Sequence, residues 1–349
     1  MDRLLPRLPP REVALLSYTI RRLLVTVPTV LGALTFLFFL YFLLPGDPAK
    51  LIAGGSEKAV NEQVLKNVEA RYGFDRPIPT QYGDYLGRTV TGDLGESYLT
   101  RENVSDVVKD RSVNSVRLAI WAVIIEVIVG IGVGLWSAMR RYSFSDKFTT
   151  VFTAAASAIP AFVLGFVLQQ IFAVRPVKAD WPAWATLKVQ GIGPDTWTFF
   201  FIPTGEQWRY LILPAITLAS VSTALAARMM RGSMLEVNQA DYMRTARAKG
   251  LRQRDIVVKH GLRNALIPVV TLIGIDFGTV LGAAVLTETV FNWPGLGSKV
   301  ATAVDQRDAP VVLGLTLVIV VAYSLINLLV DLSYAYFDPR IRLGKEAET

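Results

Sequence analysis

The sequence predicts an all-α, polytopic membrane protein with six transmembrane helices. Of its 349 residues, 52% are hydrophobic and only 19% are charged, a balance that favours a membrane protein over a soluble one. Six apolar runs are long enough to span a bilayer as helices, and they are continuous rather than alternating, which indicates helices rather than barrel strands. The runs cover roughly residues 23–44, 118–139, 148–174, 210–227, 265–287 and 311–330.

The first run, 23–44, follows Arg21 and Arg22 and is interpreted as a retained helix. At about 22 residues it is longer than the apolar core of a secretory signal peptide, and it ends in PGDP rather than at a small-x-small cleavage site. Residues 1–22 form an N-terminal tail, whose proline-rich start at 6–10 is predicted to be disordered.

Basic residues cluster in four regions, and six spans place all four on one side of the membrane. Because short cytoplasmic segments are rich in Lys and Arg, this side is predicted to be the cytoplasm, with both termini there. The regions are the N-terminal tail, the loop after the second span, the loop 231–263 between the fourth and fifth spans, and the C-terminal tail 338–349.

Three polar segments lie on the opposite, extracytoplasmic face of this topology. The largest, 45–111, has mixed charge, and apolar residues at helical spacing predict a helix within 57–72. The insertion 175–209 is rich in Trp, Pro and Gly; its four tryptophans favour the membrane interface, with contact to a partner protein as the alternative. The segment 288–310 is short and contains WPGLG. Spans two to six and their loops form a core over 112–337.

The residue types exclude several kinds of site. The chain has no cysteine and a single histidine, His260, so it offers neither a disulfide nor a thiolate or histidine-based metal site. The net charge is +7, but the basic residues cluster beside apolar runs. This distribution indicates membrane topology rather than nucleic-acid binding. No cysteine, histidine cluster or paired-acid motif supports a catalytic centre, so we expect no catalytic residues and no cofactor bound by this chain.

The basic stretch 241–263 carries the strongest functional signal. It lies between two apolar runs, and its pattern predicts one helix over 234–249, a left-handed turn at Gly250 and a second helix over 253–264. Two short helices at the membrane surface would form a compact knob. The residues alone leave two interpretations, a docking surface for a cytoplasmic partner or an interfacial helix that binds anionic lipid.

The loop resembles the EAA loop of ATP-binding-cassette (ABC) importer permeases, whose pattern is Glu-Ala-Ala, three residues, Gly, nine residues and Ile-x-Leu-Pro. Ala246, Gly250 and Leu262 match that pattern. The four remaining positions depart from it and hold Arg244, Thr245, His260 and Arg263.

One subfamily is matched more closely, the dipeptide and oligopeptide permeases. Collinear segments that resemble this subfamily are RTARAKGL followed by LRNALIPVV in the loop, LLPGDPA at 43–49, YGFDRPIPTQYGDYLGRTVTGDLGESY at 72–98, SAIPAFVLG at 157–165, TETVFNWPGLG at 287–297 and FDPRIR at 337–342. The chain is thus similar to the B-type permease. This implies the type I ABC importer permease fold, with an extracytoplasmic segment after helix 1 and a cytoplasmic coupling loop between helices 4 and 5.

The resemblance also implies partners and a mechanism. An extracytoplasmic solute-binding lipoprotein would deliver a di- or oligopeptide, and this chain and a second, different permease would form the pathway across the bacterial inner membrane. Two cytoplasmic ATPases would bind ATP and Mg²⁺ and switch the pathway between its two orientations. This chain has no G-x-x-x-x-G-K-[ST] motif and cannot supply the ATPase.

The same resemblance assigns the loop 231–263 to a cleft of one ATPase. A small residue at Ala246 would let the partner approach the backbone closely, and Gly250 would permit the turn. The residues assigned to coupling are Arg244, Thr245, Ala246, Arg247, Gly250, Asp255 and Arg263. The resemblance does not exclude the other cargoes of related importers, namely nickel chelates, haem and glutathione. A proton-coupled secondary transporter and a membrane enzyme are weaker alternatives.

Four residues inside the predicted spans are candidates for the pathway or its gate. Asp276 and Glu126 are ionisable, and such residues are costly in a membrane and often functional. Asp276 would contact a peptide amino terminus or hold a gate, whereas Glu126 favours a structural pairing with a hydroxyl or an arginine of a neighbouring helix. Pro160 removes a backbone donor and is predicted to bend or end the third helix, so that Ser157 and Pro160 mark either a gate or a packing kink.

Overall fold

The computed structural model describes residues 11–43, 48–53, 61–182, 186–188, 190–193 and 197–337. Within these residues the chain is largely helical, with one two-stranded hairpin. Six helical stretches are long and apolar enough to cross a membrane, as the sequence predicted. They are Thr19–Tyr41, Val104–Met139, Ala161–Lys178, Gln207–Val237, Gln253–Val280 and Ala309–Val330.

The helices and strands are numbered in chain order. The helices are α1 (Arg11–Leu43), α2 (Pro48–Ile52), α3 (Glu62–Tyr72), α4 (Ile78–Val90), α5 (Val104–Ile125), α6 (Ile131–Met139), α7 (Phe144–Ala158), α8 (Ala161–Gln169), α9 (Arg175–Lys178), α10 (Gln207–Val237), α11 (Asp241–Ala248), α12 (Gln253–Asp255), α13 (Arg263–Val290), α14 (Leu296–Asp305) and α15 (Ala309–Phe337). The strands are β1 (Trp197–Thr198) and β2 (Ile202–Pro203), and π-helical turns occupy Glu126–Gly130, Gln170–Val174 and Ile256–Leu262.

The chain forms two compact units. One consists of the described parts of Met1–Ser112 with Lys299–Leu328, and the other of Val113–Ser298 with Leu329–Phe337.

Aromatic packing and a buried carboxylate hold the first unit together. Phe38 of α1 packs against Tyr82 and Tyr85 of α4, with ring centroids 5.2 and 5.5 Å apart. The hydroxyl of Ser97 donates to Asp308 Oδ2 at 2.5 Å. The carboxylate of Asp308 thereby joins the loop before α5 to the start of α15.

Helix α10 is the centre of the second unit, where it contacts α6, α7, α8 and α13. Small residues allow this close packing, as is typical of helices in membranes. A side chain at Gly134 would clash with the carbonyl of Ala227, and a Cβ at Gly130 would lie 2.9 Å from the Cβ of Ala226. The glycines of the second span therefore let α10 approach its neighbours at backbone distance.

Pro160 ends a helix, which confirms the prediction made for it. Helix α7 stops at Ala158, Ile159 is extended at φ −83° and ψ 126°, and α8 begins at Ala161. The residue before a proline avoids the helical conformation, and proline lacks an amide donor. The predicted third run 148–174 is thus two helices. By contrast Pro214 and Pro268 lie inside α10 and α13 without ending them.

Several predicted boundaries shift in the structure. The second span was placed at 118–139, but its helix begins at Val104, and α1 begins at Arg11 within the predicted tail. A membrane helix can continue into polar sequence beyond its apolar run, because its backbone hydrogen bonds are formed within the helix whatever the side chains are. The helix expected within 57–72 is α3, which begins at Glu62 after the N-cap Asn61.

Other expectations fall on residues 1–10, 44–47, 54–60 and 338–349, which lie outside the described ranges. They concern the disordered start, most of LLPGDPA and the C-terminal tail.

The insertion 175–209 contains the hairpin, whose tip is aromatic and exposed. Phe199 and Phe200 both have positive φ, at 49° and 65°, and Phe199 is largely exposed. The loop is anchored to α5, because Arg117 Nε donates to the carbonyl of Phe200 and Trp121 Nε1 to that of Phe201, each at 2.7 Å. An aromatic tip of this kind is compatible with the predicted location at the membrane interface.

Candidate functional site

The basic stretch folds into a small knob, defined here as residues 238–262. Helix α10 ends at Val237, the chain turns at 238–240, and α11 begins at Asp241. The prediction of a single helix over 234–249 is therefore wrong. The turn changes the direction of the chain, so that the apolar residues of α11 are buried. A straight extension of α10 would lose the free energy that this burial contributes.

The interior of the knob is apolar. Met243 and Ala246 of α11 pack with Ile256, and all three side chains are buried. Gly261 is packed beneath them, since a Cβ there would lie 2.7 Å from the Cε of Met234. The small side chain of Ala246, only 6% exposed, faces this interior. It contributes to packing within the chain. The expectation that it also lets a partner approach the backbone stays a prediction.

The turn at Gly250 is present as predicted. Helix α11 ends at Ala248, and Gly250 has φ +72°, a left-handed conformation that glycine adopts at little cost. A Cβ added there would meet nothing within 4 Å. The requirement for glycine is therefore conformational rather than steric.

The assigned coupling residues divide by their position on the knob. Arg244, Thr245 and Arg247 share the exposed face of α11, and Arg263 is exposed at the start of α13. Asp255 is half-buried and forms an ion pair of 3.1 Å with Lys259, one turn later on the same helix. The structure thus brings most of the predicted residues to the surface and turns Ala246 inward.

Three exposed apolar residues were not recognised in the sequence. Tyr242, Leu251 and Val258 are 43%, 44% and 50% exposed, although they belong to the compact knob. Apolar anchors surrounded by charged residues are typical of protein–protein interfaces. The available signal was that each is an apolar residue within a strongly polar stretch.

A buried ion pair connects α10 to α7 near the knob. Arg231 holds Asp146 in bidentate geometry, with 2.6 Å from Nε to Oδ1 and 2.9 Å from a terminal nitrogen to Oδ2. The hydroxyl of Ser137 also donates to Asp146 Oδ1 at 2.6 Å, and the amide of Tyr142 to Oδ2 at 2.9 Å. These hydrogen bonds, led by that of the Arg231 guanidinium, hold the pKa of Asp146 well below its usual range despite its burial.

Ser157, one of the gate candidates, is tied to α10. A terminal guanidinium nitrogen of Arg228 donates to the carbonyl of Thr153 at 2.9 Å and to the hydroxyl of Ser157 at 3.2 Å. Ser157 in turn donates to the carbonyl of Ala154 at 3.0 Å. The arginine therefore caps the last turns of α7 just before the break at Pro160.

The two intramembrane acids lie in the same unit. Glu126 begins a π-helical turn, is 1% exposed, and neither carboxylate oxygen has a hydrogen-bond partner among the described residues. Thr279 donates to Asp276 Oδ1 at 2.5 Å, while Oδ2 is also unpartnered in the described chain. The hydroxyl or arginine expected beside Glu126 is not found within the described ranges.

Another buried carboxylate, that of Glu288, organises the segment that contains WPGLG. Ser115 donates to its Oε1 at 2.6 Å, and the amide of Ser298 donates to Oε2 at 3.0 Å. A side chain at Gly295 would clash with this carboxylate. The network joins the end of α13 to the second span. Its only signal in the sequence was that TETVFNWPGLG resembles a segment of the peptide permeases.

Two family descriptions match the chain. Residues 130–343 match the family described as binding-protein-dependent transport system inner membrane component. Residues 15–119 match the N-terminal region of binding-protein-dependent transport system membrane components. The first match includes the knob, the Asp146–Arg231 pair and Asp276, whereas Glu126 lies just before it.

The chain is also similar to named bacterial permeases over most of its length. It is 39% identical over 328 residues to the glutathione transport system permease protein GsiC of Pectobacterium atrosepticum, which covers 94% of this chain and 99% of that protein. Proteins of the same name from Escherichia coli O6:H1 and Salmonella typhimurium are 38% identical over the same shares of both chains.

Proposed function

The chain belongs to the family of binding-protein-dependent transport system inner membrane components, and from this premise we propose that it admits short peptides, with glutathione as the first cargo to test. Membership makes it a multi-pass protein of the bacterial inner membrane and a permease subunit of an ABC importer. Such a subunit works with a binding protein and other ABC subunits.

The observation that supports the cargo is the end-to-end similarity to relatives named as glutathione permeases. Glutathione is itself a tripeptide, so this cargo is one member of the peptide class that the motifs imply. The individual partners are proposed on the same grounds. A second, different permease completes the pathway, two ATPases bind ATP and Mg²⁺, an extracytoplasmic lipoprotein presents the cargo, and this chain binds no cofactor.

The exposed face of the knob is the proposed contact with one ATPase. It combines the basic side chains of Arg244 and Arg247 with the apolar anchors Tyr242, Leu251 and Val258. The packed interior of the knob supports this role, because a rigid element transmits displacement better than a flexible one. In this orientation the knob and both termini lie in the cytoplasm, in agreement with the clusters of Lys and Arg.

Reconstitution tests the cargo and the source of energy together. The chain is purified with its co-encoded partners, placed in proteoliposomes, and assayed for uptake of labelled glutathione, dipeptides, a nickel chelate and haem. We expect uptake of glutathione or another short peptide that requires ATP and the binding protein. Uptake of the nickel chelate or haem alone contradicts the peptide assignment. Uptake that proceeds without ATP and collapses with a protonophore contradicts the importer mechanism.

The docking surface is tested by removing one anchor. Leu251→Ser leaves the interior of the knob intact and is expected to weaken co-purification of the ATPase about fivefold or more, because buried interface anchors contribute about 1 kcal/mol or more. Val90→Ser is the matched control, since Val90 is an exposed apolar residue of α4 in the other unit. Equal ATPase retention by the two variants argues against this face as the docking surface.

A further inference from the structure

The first unit contains a cavity of about 400 Å³ that no part of the proposed coupling mechanism uses. Its walls come from α3, α4, the loop 93–98 and the adjoining parts of α1 and α15. This volume falls within the range of small-molecule binding sites, about 300–1,000 Å³. In the proposed topology this part of the chain faces the extracytoplasmic side.

One wall of the cavity is a set of three packed aromatic rings. The centroids of Tyr72 and Tyr98 are 4.8 Å apart, those of Phe74 and Tyr98 5.6 Å, and those of Tyr72 and Phe74 5.9 Å. The hydroxyl of Tyr72 is buried and has no hydrogen-bond partner among the described residues. A buried polar group without a partner is costly, so this hydroxyl is suited to a polar atom that enters the cavity.

Six charged side chains line the cavity, and three of them are already engaged. Arg76 pairs with Asp84 at 3.0 Å, and Asp93 accepts the amide of Gly95 at 2.9 Å. Like Asp93, the remaining three, Arg71, Arg88 and Glu96, form no ion pair within the described ranges; unlike Asp93, their charged groups form no hydrogen bond there either. The cavity therefore offers two guanidinium groups and one carboxylate to a ligand.

The complement of this set is a ligand with two carboxylates and one ammonium group. Guanidinium groups bind carboxylates in bidentate geometry, and Glu96 matches an ammonium group. We propose that the cavity binds a short dicarboxylate peptide, of which glutathione is an example, with its carboxylates at Arg71 and Arg88 and its amino group at Glu96. This inference rests on the proposed peptide cargo and adds a ligand site on this subunit itself.

Binding is measured on the purified full-length chain in its complex without the binding protein, by equilibrium dialysis with labelled glutathione. The intact complex is expected to bind saturably. Arg71→Gln and Arg88→Gln are each expected to weaken binding about tenfold, the effect of losing one charge-assisted hydrogen bond. Lys66→Gln is the matched control, because Lys66 is a cation of α3 outside the cavity and pairs with Glu62. Absence of saturable binding, or equal affinity of all three variants, overturns the proposal.

The role of Glu96 is tested on the ligand as well as on the protein. N-acetylation of glutathione removes the ammonium charge and is expected to weaken binding to the unmodified chain. In Glu96→Gln, acetylation is expected to make no further difference. If acetylation weakens binding equally in both proteins, Glu96 does not face the ammonium group. Should any variant fail to assemble, the comparison of glutathione with its acetylated and monocarboxylate analogues on the unmodified chain decides the question.

Failure of this inference is distinguishable from failure of the proposed function. If the full importer takes up glutathione but the complex without the binding protein shows no saturable binding, the cavity is not a ligand site and the peptide cargo stands. If the complex binds glutathione while the full importer takes up only other classes of solute, the cavity site stands and the proposed cargo fails.

Discussion

Arg231 and Asp146 lie 85 positions apart in the chain and form a bidentate ion pair that joins α10 to the start of α7. Helix α10 leads directly into the knob at Val237. Because the carboxylate of Asp146 is buried and the pair is supported by Ser137 and Tyr142, α7 and the end of α10 are held as one body. A displacement of the knob by a partner is therefore expected to reach α7 and, beyond it, the break at Pro160.

Breaking this pair is expected to destabilise the protein. Asp146→Asn leaves the Arg231 charge without its partner, at an expected loss of about 2–3 kcal/mol, below the value for a fully buried pair because Arg231 keeps some access to solvent. Thermal unfolding in detergent measures the loss. The exposed pair of Glu62 and Lys66 provides the control, and Glu62→Gln should change stability by less than about 0.5 kcal/mol. Comparable losses in both variants would show that burial of the pair has no special role.

The pH dependence of the same variant follows from the direction of the Asp146 pKa. Its folded-state pKa lies below its unfolded value, so the pair stabilises the fold above the unfolded pKa and loses this contribution only as pH falls through the folded pKa. From roughly pH 5 to 8 the stability difference between the unmodified chain and Asp146→Asn should stay constant. A difference that shrinks across this range contradicts the assignment.

The knob should fail when its turn or its interior is disrupted. Gly250→Pro cannot adopt φ +72°, and Ala246→Glu places a carboxylate between Met243 and Ile256, so both should abolish ATP-driven uptake and ATPase docking while expression persists. Uptake and co-purification of the ATPase measure the two effects. Gly232→Ala is a control, since a Cβ there meets nothing within 4 Å. Normal transport in Gly250→Pro would refute the coupling assignment.

The Glu288 network should tolerate no side chain at Gly295. Gly295→Ala drives a methyl group into the carboxylate of Glu288, and forced contacts of this kind cost about 1–3 kcal/mol. A lower unfolding temperature of the purified chain is the readout. Gly282→Ala in α13 meets nothing within 4 Å and should be neutral. If both alanine variants unfold at the same temperature, the close approach at Gly295 is not a constraint.

Asp276→Asn is expected to alter transport kinetics or cargo preference. The acid is half-buried in α13, and one of its oxygens has no partner within the described chain. Uptake is measured across several peptides and pH values, with Asp305→Asn as an exposed control on α14. Unchanged kinetics across peptides and pH would make Asp276 a structural residue.

Features that depend on a short stretch of chain followed from the sequence. The apolar runs predicted six spans, Pro160 predicted the end of a helix, and Gly250 predicted the left-handed turn, because bilayer thickness and backbone conformation act on neighbouring residues. The residues proposed for coupling were assigned from the resemblance and stay a prediction; the structure exposes most of them.

Contacts between distant residues were decided only by the tertiary structure. The turn at 238–240 buries Ala246, and Ser115 donates to Glu288, 173 positions further along the chain. The carboxylate of Glu126 is buried without a hydrogen-bond partner among the described residues, where the sequence had favoured a hydroxyl or an arginine. The cavity likewise combines residues from five separate segments. Such pairings depend on how helices pack, and a pattern along one helix does not specify which face of another helix will lie against it.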